Sequence, residues 1–127
     1  MRDHFGCPVQ ATANAIAGKW KVQIVWHLAY ECKRFGEVRR LLGEVSDKVL
    51  AAQLRELEAD GIVLRESAGT VPPRVVYSLT PAGAELLPAM DLLCAWGRKH
   101  LGVTSRLPPL PEDVRAGWSR LIEGLGG

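Results

Sequence analysis

The chain has 127 residues, 47% hydrophobic and 24% charged, with 16 basic against 14 acidic side chains and a formal net charge of +2. That balance suits a soluble globular chain with a core large enough to hold without disulfide staples, and it excludes disorder over most of the length. The longest apolar runs are too short to span a bilayer and the start, MRDHFGCPVQ, lacks a signal-peptide core, so a cytoplasmic protein with no membrane partner is expected.

Pro8 can open a first helix through Ala17, because proline is tolerated in an initial turn, and Gly18 ends it. A second helix is expected from Lys19 to about Tyr30, with Trp20, Ile24, Val25 and Leu28 on its apolar stripe. Phe35, Val38, Leu41 and Leu42 repeat that kind of spacing over a short third helix, closed by Gly43. Ser46 is a good N-cap for a fourth helix ending at Gly61, with Leu50, Leu54 and Leu57 as its buried stripe. IVLRES and RVVYSL then read as two strands of a hairpin, separated by the turn-forming AGTVPP. Thr80 and Pro81 start one long last helix to about Leu101, with Leu86, Leu87, Met90, Leu93, Cys94 and Leu101 on a wide apolar face. LPPLP at residues 107 to 111 reads as a stiff linker, and Val114, Trp118, Leu121, Ile122 and Leu125 as an amphipathic helix after it.

This order is that of a winged helix-turn-helix: mainly α with a small antiparallel β-hairpin, and with flanking helices that serve dimerisation. Residues 1–106 are expected to form the DNA-binding and dimerisation domain, and 107–127 the linker and C-terminal helix. The apolar surface of the long helix exceeds what one small core can cover, which points to a homodimer. Opposite the leucine stripe, the fourth helix puts Lys48, Ala52 and Arg55 together, with Ala51 on the flank. The alanines keep that face slim enough for a major groove, while the two cations reach base edges or phosphates of duplex DNA. Lys33, Arg34, Arg39 and Arg40 against Glu37 alone form a local basic cluster suited to phosphates. Ser46 stands at the helix N-terminus, where the dipole favours anions. Arg74, after Pro72 and Pro73, either points from the wing into a minor groove or pins the hairpin.

Five stretches carry a resemblance: CPV at Cys7 to Val9, GKW at Gly18 to Trp20, RFGEVRRLL from Arg34, SDKVLAAQLRELEADGIV from Ser46, and VPPRVVYSLTPAG from Val71. Together they resemble the HxlR-type, MarR-like transcriptional regulators over about residues 7 to 101. The resemblance implies a dimeric winged-helix DNA-binding protein of bacteria, in a family many of whose members respond to aldehydes, quinones or other reactive electrophiles. Ala51 and Gln53 stand where members often carry a hydroxyl or longer polar side chain, and Asp47 where a proline is common, so no operator sequence transfers. The tail beyond about Arg106 has no counterpart in the pattern.

An effector is implied, and Cys7 is the candidate sensing residue. It precedes Pro8 and the first helix, whose unpaired N–H groups and dipole can stabilise a thiolate, with Lys19 and Lys21 adding positive potential. The competing reading is a small residue packed in the dimer interface. Cys32 and Cys94 are candidate disulfide partners; three cysteines at wide spacing suit free thiols. Trp20, Trp26 and Trp96 line an effector pocket or, more ordinarily, the core. The weak His4-x-x-Cys7 pair does not make a metal site, and no cofactor is expected. With no glycine-rich phosphate loop, GxSxG or HExxH, the chain is not expected to be an enzyme. A winged helix used only for protein contacts is the alternative.

Overall fold

The computed structural model describes residues 6–104 and 107–125. Its elements follow the order α1 (Pro8–Ala15), α2 (Lys21–Leu28), α3 (Phe35–Leu42), α4 (Asp47–Ala59), β1 (Val63–Ala68), β2 (Arg74–Leu79), α5 (Pro81–Glu85), α6 (Leu87–Leu101), α7 (Glu112–Ala116) and α8 (Trp118–Leu125). The core sits between α2, α3, α4 and the root of the hairpin. Ile24, Val25, Val38, Leu50 and Leu57 are wholly buried, with Leu54, Trp26, Leu28 and Val63 close behind. Each leucine of the α4 stripe contributes on the order of 1.5–3 kcal/mol by leaving water. Leu41 departs from its expected place and is half exposed, because only Val38 and Leu42 of that turn face the core.

The helix ends obey local chemistry. Ser46 Oγ accepts from the Val49 backbone N–H at 3.2 Å, and Thr80 Oγ1 accepts from Gly83 N–H at 3.0 Å. Gly61 turns the chain from α4 into β1 at φ +75°, a left-handed conformation that other residues adopt at a cost. β1 and β2 pair antiparallel from Val63 opposite Leu79 to Ala68 opposite Arg74. Lys33 adds a single antiparallel bridge to Tyr77, with backbone hydrogen bonds of 2.9 and 2.8 Å, and so anchors the wing to the chain entering α3.

The long last helix is broken at Leu86 into α5 and α6. Pro88 lacks the N–H that would bond back to Ala84, so the ladder stops and restarts with Pro88 in the first turn of α6. Gly83 permits a close approach within α5: a Cβ there would collide with the carbonyl oxygen of Ile62.

The proline-rich run is packed rather than a free spacer. Trp26 Nε1 donates to Pro108 O at 2.7 Å, Tyr30 OH donates to Pro109 O, and Leu110 is 5% exposed. Val114 and Trp118 then pack against the core of the chain, and Arg115 meets Asp91 of α6 at 3.6 Å. The tail helix expected in one piece is two, divided at Gly117. The side chains of Leu121, Ile122 and Leu125 lie outside the described residues, as does His4.

Candidate nucleic-acid interface

The surface of interest starts from the capped N-terminus of α4. Burying Leu50, Leu54 and Leu57 turns Lys48 and Arg55 outward, and both are exposed; Ala51 and Ala52 between them are partly covered. Ser46 is exposed at the cap, although its hydroxyl already serves the helix.

Arg34, Arg40 and Arg74 line one groove of about 570 Å³ with Phe35, Gly36 and Pro73, where the start of α3 faces the base of the wing. Two arginines from α3 and its N-cap thus meet the one from β2. Glu37, the acid of that cluster, is engaged in capping: its Oε1 accepts from the Arg34 backbone N–H at 2.8 Å. Arg39 is exposed but paired, its Nε lying 2.5 Å from Asp47 Oδ1 across the helix-turn-helix. Lys33 does not join the exposed cluster. Its side chain is only 10% exposed and meets Glu31 at 3.7 Å, because its backbone is tied to Tyr77 in the bridge.

Cys7 is exposed as the N-cap residue of α1, and the Ala11 N–H bonds to its carbonyl at 2.9 Å. Of the two lysines expected to favour a thiolate there, Lys21 is committed elsewhere. It is 2% exposed and its Nζ lies 2.8 Å from Glu56 Oε1 on α4. Lys19 stacks over the Trp20 ring at 4.7 Å. Cys32 is exposed, and Cys94 receives a hydrogen bond from Arg98 Nη1 at 3.0 Å. The tryptophans separate: Trp26 is core, Trp20 is partly buried, and Trp96 is 57% exposed on α6. No group of three metal-ligating side chains comes together among the described residues, and none of their helices is long and apolar enough to cross a membrane.

Sequence reasoning missed the Lys21–Glu56 brace and the hold of Trp26 and Tyr30 on the proline run. Heptad-like spacing gives no sign of either, since the partners lie 35, 82 and 79 residues apart.

A capped helix-turn-helix followed by a two-stranded wing defines the winged helix-turn-helix class. The chain belongs to the HxlR-like helix-turn-helix family, whose model matches residues 15–105. The HTH-type transcriptional regulator YtcD of Bacillus subtilis strain 168 is 44% identical over 97 residues, covering 76% of this chain and 77% of YtcD. The redox regulator HypR in its reduced form superposes with a TM-score of 0.71 at 43% identity, over 75% of this chain and 96% of HypR; HypR has also been solved oxidised. Diamide-treated YodB from B. subtilis superposes with a TM-score of 0.64 at 30% identity, over 76% of this chain and 97% of YodB. This family consists of DNA-binding transcriptional regulators rather than enzymes, which sets aside the reading as a protein-contact module alone.

Proposed function

We propose that the chain binds operator DNA sequence-specifically as a homodimer, with α4 in the major groove and the wing on the flanking backbone. The observation that carries this reading is the outward pair Lys48 and Arg55 on a helix whose opposite face is buried, beside the groove shared by Arg34, Arg40 and Arg74. Ala51 and Ala52 let the helix approach base edges, Arg34 and Arg40 meet phosphates, and Arg74 follows the backbone or minor groove. Ser46 presents the α4 N-terminus to a phosphate.

Dimerisation is supported by the apolar side chains left in water on α1 and α6. Val9, Leu92, Leu93, Trp96 and Leu101 are each more than half exposed. A two-fold axis through that surface would set two reading helices about one DNA turn apart. Cys7 is the proposed sensing thiol: it is exposed at the N-cap of α1, and HypR and YodB, the redox-linked neighbours, share the fold. Its oxidation or alkylation would change the packing of α1 in the dimer and with it the grip on DNA.

Anisotropy titrations of duplex operator at several salt concentrations test the core of this reading. Lys48→Ala with Arg55→Ala should weaken binding by about 1–3 kcal/mol for each base-specific interaction removed and leave thermal stability unchanged. Unaltered affinity in the double variant would remove α4 as the reading helix. Sedimentation showing a monomer at micromolar concentration would remove the dimer.

A further inference from the structure

A second cavity lies away from the reading face. It is a groove of about 640 Å³ between α2, the segment leading from it toward α3, the C-terminal end of α3 and the proline run, with His27, Lys33, Leu41, Leu42, Leu107 and Pro108 among its walls. Leu107 and Pro108 lie beyond residue 105, where the family match ends.

The groove brings a lysine, a histidine and apolar side chains together. Lys33 is nine-tenths buried at the side chain, and the Glu31 carboxylate, itself 74% exposed, stands off at 3.7 Å, beyond hydrogen-bond length. Both residues line the groove, so the ammonium and the more exposed carboxylate stand at the same wall. Beside it His27 is 9% exposed, and burial first, then Lys33, lowers its pKa below 6.5, so its neutral ring offers one N–H. Leu41, half exposed, and its neighbour Leu42 line the groove with Leu107 and Pro108, and together they supply apolar walls for a ring or short chain. Tyr30 OH is engaged with Pro109 O and holds the lip in place.

We propose that this groove binds a small organic carboxylate, its anionic end on Lys33 and His27 and its apolar body between Leu41, Leu42 and the Leu107–Pro108 wall. The Lys33 backbone bridges Tyr77, so the residue that would hold the anion is itself tied to the wing. The site stands apart from the DNA-binding reading and does not depend on it.

The test uses the full chain with benzoate as probe and benzylamine as its cationic counterpart. The Trp26 indole N–H, whose acceptor Pro108 lines the groove, is the NMR reporter. Benzoate should shift that resonance saturably and benzylamine should not. Lys33→Met should weaken benzoate by about tenfold or more, as expected for one charge-assisted hydrogen bond, while Lys33→Arg retains binding. Leu41→Trp, at a half-exposed position that tolerates bulk, should block the groove in a protein that still folds, and it decides the matter if Lys33→Met does not fold. Equal shifts with both probes, wild-type affinity in Lys33→Met or in Leu41→Trp, or no saturable shift by about 50 mM benzoate would overturn the proposal.

Discussion

The ammonium of Lys21 lies 2.8 Å from the carboxylate of Glu56, tying α2 to the flank of the proposed reading helix. The lysine side chain is 3% exposed and that of Glu56 48%, so one charge is inside and its partner is at the surface. Glu56→Gln should therefore destabilise the fold more than Lys21→Met. The first leaves a buried charge facing a neutral amide, whereas the second removes the buried charge and keeps the stem. Because water reaches Glu56, its replacement is expected to cost about 1–3 kcal/mol rather than the larger penalty of a fully buried pair. Urea unfolding of the two variants checks the order; a larger effect in Lys21→Met would contradict it.

Arg39 and Asp47 join the two helices of the helix-turn-helix on its exposed side. Asp47→Ala frees a guanidinium and removes an acid close to the proposed DNA path. Affinity for duplex DNA should rise, and the salt slope should steepen by about one phosphate interaction. The same change strips the first turn of α4 of its acid and should lower stability by about 0.3–1 kcal/mol. Weaker DNA binding with an unchanged salt slope would show that the pair instead positions α4.

His27 supplies a pH dependence. Its folded-state pKa lies below the ordinary 6.5 because of burial and then Lys33, so the unfolded chain takes up its proton first as pH falls. The contribution of a neutral His27 is fully present above about 6.5 and is lost as pH falls from there through the lowered folded value. Unfolding midpoints of wild type and His27→Gln measured from pH 7.5 to 5 should converge toward acid as this difference disappears. Parallel curves would exclude His27 as the source.

Cys7→Ser should abolish any release of operator DNA that diamide or a quinone causes in the wild type. Cys94→Ser is the informative companion, since Cys94 already receives a hydrogen bond from Arg98. If wild type and Cys7→Ser release DNA equally, Cys7 is structural and the reactive thiol is elsewhere.

By itself the sequence determined the element order, the family pattern and the inward faces of α2 and α4. Caps such as Ser46 and Thr80, the Gly61 stop and the 3–4 spacing of leucines act within a few residues, and neighbours in sequence are then neighbours in space. It also placed Lys48, Ala51, Ala52 and Arg55 on one surface, because a helix converts spacing into direction. What only the tertiary structure decided were relations between distant residues: Lys33 drawn inside by its bridge to Tyr77, Lys21 spent on Glu56, Arg74 brought beside Arg34 and Arg40, and the proline run laid on Trp26 and Tyr30. Even Gly83, plain in the sequence, gains its reason only where α5 meets the carbonyl of Ile62. Local chemistry sets the elements, but a charged side chain becomes a surface contact or a buried anchor according to which backbone the fold lays against it.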